Sequence, residues 1–266
     1  MLKLYHNDMS ACAQKVRFVL AVKQLEWQSE ELNLRQGDQQ RPEYLKINPK
    51  GLVPALEHDN DILVESNIIV DYLDEAFPQP SLMPETPLQR AKVRWWMKKL
   101  DDGLHLELAA LSFGIAYRIQ LLDACKGDIN LVEKHLNAIP DAYMRDVQRQ
   151  VMTDGMGSPR FDRAVNEFAK LIEELDAELA EHKWIGSDSM SLADIAFAPY
   201  ATRLEHLHLS AMWHHKPHFK DWYERLKRTE GYQQGLAGWF NPKYLELMDR
   251  AGAAAWPNIS AMLDQQ

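Results

Sequence analysis

Residues 47–66 read INPKGLVPALEHDNDILVES. Pro49, Gly51 and Pro54 fall within six residues and exclude a helix there. Beyond them, Ala55-Leu56-Glu57 and Ile62-Leu63-Val64 are short apolar runs on either side of the polar Asp59-Asn60-Asp61. That is the pattern of a β-hairpin. Glu65-Ser66 then opens a helix with Ile69, Leu73 and Phe77 on one face. Toward the N-terminus, Lys3 to His6 reads as a strand ending at Asn7-Asp8. Ser10 is a helix N-cap, followed by Val16, Val19, Leu20 and Leu25 at helical spacing, with Lys15 and Arg17 between them. Within Trp27 to Leu34, Glu30-Glu31-Leu32-Asn33-Leu34 reads as a second strand, and Arg35 to Lys46 is polar and turn-rich. The order is therefore β-α-β, a loop, then β-β-α.

Toward the C-terminus, Pro78, Pro80, Pro84 and Pro87 punctuate residues 77–88, which read as a linker between domains. Only helical patterns follow. Phe161, Val165, Phe168, Ile172, Leu175 and Leu179 alternate at spacings of three and four. Ser191-Leu192-Ala193-Asp194 has the form of a capping box ahead of Ile195 and Phe197. Residues 125–160 are polar and read as a helical excursion with loops. Of the adjacent Trp95 and Trp96, at most one faces a core, because neighbouring helix residues point about 100° apart.

Composition narrows the class. The 266 residues are 46% hydrophobic, enough to bury one large core or two smaller ones. A net charge of −9 with no basic stripe argues against a nucleic-acid binder. No run of 18 apolar residues exists, so no membrane span is expected. The strand pattern begins at once in Met-Leu-Lys-Leu-Tyr, so no signal peptide is expected. Cys12 and Cys125 are too few for a disulfide framework, so a cytoplasmic setting is expected. His214, His215 and His218 surround Pro217 without the spacing of a zinc site, and no metal is expected.

Four segments, in order, resemble glutathione transferases over nearly the whole chain. Leu4-Tyr5 followed by Ser10-Ala11-Cys12-Ala13-Gln14-Lys15-Val16-Arg17 is similar to the serine-type segment of the theta and zeta classes, which have Arg seven residues after Ser. Asn48-Pro49-Lys50-Gly51-Leu52-Val53-Pro54-Ala55-Leu56 resembles the family segment whose second proline is cis. Glu65-Ser66 matches the family's glutamyl-binding pair, and Ser191 to Asp194 its C-terminal capping box. The resemblance implies an α/β thioredoxin-like domain over residues 1–80 and an all-α domain over 88–266. It also implies glutathione as co-substrate, a small hydrophobic electrophile, detoxification chemistry and a homodimer.

Carried onto this sequence, Ser10 is the catalytic residue. A hydroxyl at a helix N-terminus, backed by the helix dipole, favours the reactive thiolate over the thiol. Val53 and Pro54 would offer backbone to the cysteinyl moiety as an added strand does. Glu65 and Ser66 would take the γ-glutamyl end at a helix N-terminus. Gln39 and Lys50 are candidates for the glycyl end, Lys50 standing in for a lysine the family often has where this chain has Leu52. Cys12 competes with Ser10 but lacks a Cys-x-x-Cys partner, since Ala13 occupies that place, and reads as a small buried residue. Tyr5, a nucleophile-activating position in other classes, reads as core.

Residues 48–105 also resemble bacterial glutathione-dependent β-aryl ether-cleaving enzymes, through His58-Asp59, Val64-Glu65-Ser66, Tyr72-Leu73, Phe77-Pro78, Arg90-Ala91, Arg94 and Asp101. Conjugation and dehalogenation stay open beside ether cleavage. A non-catalytic relative acting through protein contacts and a thiol oxidoreductase are the alternatives. The aromatic tail, with Trp239 and Phe240, either caps the electrophile pocket or packs on protein.

Overall fold

The computed structural model describes residues 1–264. The N-terminal elements are β1 (Leu2–His6), α1 (Ala11–Val22), β2 (Trp27–Glu31), α2 (Pro42–Leu45), β3 (Ala55–His58), β4 (Asp61–Val64) and α3 (Ser66–Ala76). Helices follow: α4 (Pro87–Lys99), α5 (His105–Ser112), α6 (Arg118–Ala124), α7 (Ile129–Asn137), α8 (Ala142–Asp154) and α9 (Pro159–Glu181). The last are α10 (Leu192–His206), α11 (Pro217–Lys227), α12 (Glu230–Gly235) and α13 (Pro242–Leu263). Wide π-type turns over Leu100–Leu104 and Phe113–Tyr117 join α4 to α5 and α5 to α6.

The four strands form one mixed sheet in the order β2-β1-β3-β4. β1 runs parallel to β2 and antiparallel to β3, with Tyr5 opposite both Glu30 and Ala55. The β3–β4 hairpin turns at Asp59 and Asn60, which both take positive φ. This is the thioredoxin-like arrangement expected. Two boundaries differ from expectation. β2 is Trp27–Glu31 rather than Glu30–Leu34: the Leu32 N–H makes the last bond to β1, at the His6 carbonyl, and the Asn33 side chain then caps a turn at Arg35 and Gln36. The tail carries a 22-residue helix, α13, that the sequence pattern did not announce.

The chain divides into two compact units. The first holds residues 1–98, 177–201 and 218–241. There α1 packs against α3 and against α12. The second contact is intimate: a Cβ on Gly235 would lie 2.6 Å from the Phe18 Cα, and one on Gly231 would lie 2.7 Å from the Phe18 ring. Residues after α3 are pinned to the same unit. Lys23, buried, donates to the Phe77 and Pro80 carbonyls at 2.6 and 2.8 Å and pairs with Asp74 at 2.7 Å. Asp74 in turn accepts the Leu82 N–H at 2.9 Å. Both Val53-Pro54 and Gln79-Pro80 are cis.

The capping box forms as read. Asp194, fully buried, accepts from Ser191 N–H at 2.8 Å, while the Ser191 hydroxyl accepts from Ala193 N–H at 3.2 Å. Two partners lie outside the motif, the Ile185 N–H at 2.9 Å and the Trp222 indole N–H at 2.8 Å. Burial raises the carboxyl to about 6, opposed by these donors.

The second unit holds residues 99–176, 202–217 and the chain from 242 onward. α7 and α8 account for most of residues 125–160, each N-capped by an aspartate, Asp128 and Asp141. Glu107 is buried beside Arg160 at 3.0 Å and Arg163 at 3.3 Å. The apolar stripe of α9, from Phe161 to Leu179, is buried throughout.

Candidate active site

Ser10 ends the turn between β1 and α1. Its backbone is extended (φ −70°, ψ 118°) and its Oγ accepts the Ala13 N–H at 3.3 Å. That bond uses the oxygen as acceptor and leaves the hydroxyl hydrogen available for donation, since a hydroxyl carries one donor and two acceptor sites. Small neighbours, Ala11 and Ala13, flank it on the first turn. Asn7 and Asp8 fold the turn: both side-chain oxygens accept the Met9 N–H, at 3.2 and 2.7 Å. Asn7 Nδ2 donates to the Leu32 carbonyl at 3.0 Å, tying the turn to the end of β2.

Beneath the turn lies a charged residue that the helical pattern assigned to the interstices of α1. Arg17 is 1% exposed. Its guanidinium donates to the Asn7 and Asp8 carbonyls, each at 2.8 Å, to the Gly235 carbonyl at 3.0 Å and to His6 Nδ1 at 3.0 Å. It also stands 4.9 Å from the Trp239 ring centre. A guanidinium only donates, so His6 Nδ1 is the acceptor and the imidazole proton sits on Nε2, which faces Ser29 Oγ at 2.8 Å. Burial, then the neighbouring Arg17, lowers His6 to about 3. Lys15 is also buried: its Nζ donates to Asn67 Oδ1 at 3.0 Å, and Asn67 Nδ2 donates to the Met97 carbonyl at 3.2 Å. It joins the second turn of α1, five residues after Ser10, to the first turn of α3, where Ser66 lies. The sequence offered no local signal for either partner.

Residues 48–53 are shaped by Asn48. Its Nδ2 donates to the Leu52 carbonyl at 2.7 Å, its Oδ1 accepts Lys50 N–H at 3.1 Å, and Gly51 takes φ 61°. Tyr44 OH also donates to the Leu52 carbonyl, at 2.6 Å. Val53 and Val64 pack on the small core of Tyr5, Tyr44 and Ala55. Glu65 precedes α3 with φ 69° and ψ 109°, a conformation that costs on the order of 1–3 kcal/mol in a non-glycine residue and gathers at ligand sites. It points a carboxylate to Lys50 Nζ at 2.8 Å. Ser66 is buried as the first residue of α3.

The structure thus joins Lys50 to Glu65, and through Lys15 links α1, which Ser10 caps, to the first turn of α3, where Ser66 lies. Among the described residues no hydrogen bond or ion pair ties Gln39 to the others. Its Nε2 donates to the Leu34 carbonyl at 3.2 Å. Tyr5 points its hydroxyl at Glu57 Oε2, 3.0 Å away. Cys12 is half-buried rather than buried, between the buried Ala11 and Ala13. Trp239 packs edge-on to His6 at 4.9 Å and lies 6.0 Å from Trp27, so for this residue the tail covers protein. Among the described residues no group of three His, Cys, Asp or Glu is placed to hold a metal ion. Among the described residues no single helix is long and apolar enough to cross a membrane.

The class of fold is a four-stranded thioredoxin-like sheet followed by a helical C-terminal region. The family model of the glutathione S-transferase N-terminal domain matches residues 4–81, and that of the C-terminal domain matches residues 158–225. The glutathione S-transferase Z1 of Arabidopsis thaliana is 31% identical over 175 residues, covering 63% of this chain and 79% of that protein. The chain belongs to the glutathione S-transferase family. It is also 43% identical over 96 residues to the maleylacetoacetate isomerase of Pseudomonas aeruginosa, 35% of this chain and 45% of that protein. The β-etherase LigF of Sphingobium sp. strain SYK-6 is similar in sequence, 28% identical over 206 residues covering 77% of this chain and 79% of that protein. Its crystal structure superposes with a TM-score of 0.76 at 25% identity, covering 88% and 98% of the two chains.

Proposed function

We propose that this glutathione transferase activates glutathione with Ser10 and directs its thiolate at a small hydrophobic electrophile. The observation that carries the reading is the Ser10 hydroxyl, fixed as the N-cap of α1 with its hydrogen still to donate. A hydrogen bond to the thiolate and the partial positive charge of the helix end both favour the ionised sulfur. Glu65 and Ser66 take the γ-glutamyl end, Val53 and Pro54 the cysteinyl backbone, and Lys50 and Gln39 the glycyl carboxylate. The functional division runs as residues 1–80 for glutathione and 88–266 for the electrophile. The protein works as a cytoplasmic homodimer, and the exposure of Ile68 and Trp95 (60% and 58%) is in keeping with a covered apolar face.

For an aryl ether the thiolate sulfur bonds to the carbon bearing the ether oxygen, the carbon–oxygen bond breaks, and the phenolate leaves with the electron pair. The similarity to LigF over most of both chains favours this substrate class. The match to the maleylacetoacetate isomerase favours a second reading, in which the thiolate adds to an alkene carbon and is expelled again after rotation. The two differ in whether glutathione is consumed.

Ser10→Ala tests the common step. Turnover should fall about a hundredfold to a thousandfold, the range for losing a donor to a developing anion. Glutathione affinity should change far less, and the thiol pKa in the complex should rise. Silent Ser10→Ala with inactive Cys12→Ala would transfer the role to Cys12. Product analysis on an aryl-ether panel and on a cis-enedione separates the readings: ether cleavage leaves a glutathione thioether, isomerisation leaves free glutathione.

A further inference from the structure

A hydroxyl assists a thiol only if the backbone carrying it is held to within about half an ångström. Ser10 follows a three-residue turn, and each residue of that turn is gripped from outside it. Arg17 donates to the carbonyls of Asn7 and Asp8. Asn241 Nδ2 donates to Asp8 Oδ2 at 3.0 Å, and the Asn241 N–H points at Met9 Sδ at 3.4 Å. Arg17 itself is held from the far side by the Gly235 carbonyl and by the face of Trp239. Gly231 and Gly235 make this possible. Lacking Cβ atoms, they let the backbone of α12 lie against Phe18 and Arg17, and so bring a carbonyl within reach of a buried guanidinium.

We propose that residues 235–241 form a strap that fixes the Asn7–Met9 turn, and with it the Ser10 hydroxyl, in the donating position, Arg17 being the positioning residue between strap and turn. The proposal rests on Ser10 as the thiol-activating group. It assigns to the start of the tail a part in activating glutathione, distinct from any contact with the electrophile.

The full-length protein carrying Asn241→Ala or Arg17→Lys tests it, with Ser10→Ala alongside. Asn241→Ala removes one bond to the turn from a half-buried side chain. Arg17→Lys keeps the charge but loses the planar fork. Ultraviolet absorbance of the bound thiolate against pH gives the thiol pKa, and steady-state rates with chlorodinitrobenzene give kcat and the glutathione KM separately. Asn241→Ala should raise the thiol pKa and lower kcat about three- to tenfold, the scale of one hydrogen bond, with KM within about twofold of the parent and an unchanged melting temperature. Arg17→Lys should do the same more strongly; if it fails to fold, Asn241→Ala decides. An unchanged thiol pKa and kcat in Asn241→Ala, beside a raised pKa in Ser10→Ala, overturns the strap and leaves the Ser10 reading standing. A silent Ser10→Ala overturns both. Parallel losses of melting temperature and glutathione binding in Asn241→Ala mark a merely structural contact and also overturn the strap.

Discussion

His6 sits in the sheet without charge and without exposure, its Nδ1 committed to Arg17 and its Nε2 to Ser29. With a folded pKa of about 3 against 6.5 in the unfolded chain, it takes up a proton only when the chain opens. Its contribution to stability is full above pH 6.5 and is lost as pH falls from there toward 3, at up to about 1.4 kcal/mol per pH unit. Asp194 has the opposite sign: its pKa rises from 3.8 to about 6 on folding, so its contribution is full below 3.8 and lost as pH rises through 6. Comparing parent with His6→Asn isolates the first effect. The variant should be less stable at pH 7.5, and the gap should narrow steadily below pH 6.5 in urea titrations; a constant gap would mean that His6 protonates in place. Individual residues are where sequence reading was weakest. Lys15 and Arg17 interrupt an apolar pattern, and charged side chains default to solvent unless paired. Asn67, the partner of Lys15, and Gly235, one of the partners of Arg17, stand 52 and 218 positions away, beyond the reach of any local pattern. Ser10, by contrast, declared itself, because an N-cap is a property of its own neighbours.

At the scale of elements, packing separates what could be read from what could not. The β3–β4 hairpin was legible because Asp59 and Asn60 tolerate the positive φ that its turn demands. The α9 stripe was legible because its period is unbroken. α13 was not: Gly252 and Pro257 interrupt it, and Gly252 is there because the Leu207 carbonyl leaves no room for a side chain. α12 is short for the same kind of reason, its glycines serving contact rather than propensity. Gly235→Ala should therefore cost about 1–3 kcal/mol or more, since the new methyl would meet the Phe18 Cα at 2.6 Å and backbone cannot swing aside. Gly157→Ala, with nothing within 4 Å, should stay within about 0.5 kcal/mol of the parent. Denaturant unfolding of the two variants measures the contrast; equal effects would mean that α12 rests loosely on α1.

For the whole molecule, the prediction is assembly. Asp71, one turn beyond Ile68 on α3, pairs with Arg94, the neighbour of Trp95 on α4, at 3.1 Å. This sets exposed apolar side chains beside an ion pair, a surface suited to a second copy. Sedimentation at micromolar concentration should give twice 30.8 kDa for the parent. Ile68→Asp combined with Trp95→Asp should shift it to a single 30.8 kDa species with its helical content intact. An unchanged dimer would place the interface elsewhere.

The bond from Arg17 to the Gly235 carbonyl also bears on the order of events during synthesis. A ribosome adding about 5–20 residues per second needs roughly 10–45 seconds to travel the 218 positions between them. The thioredoxin-like strands, α1 and α3 are all available early. A nascent chain can pair its strands and cap α1 long before the groups that grip the Asn7–Met9 turn have been made. The serine is made early, yet the groups that grip the turn before it come some 218 positions later, so under the proposed role of Ser10 an amino-terminal fragment ending before α12 should raise the acidity of bound glutathione less than the full chain does.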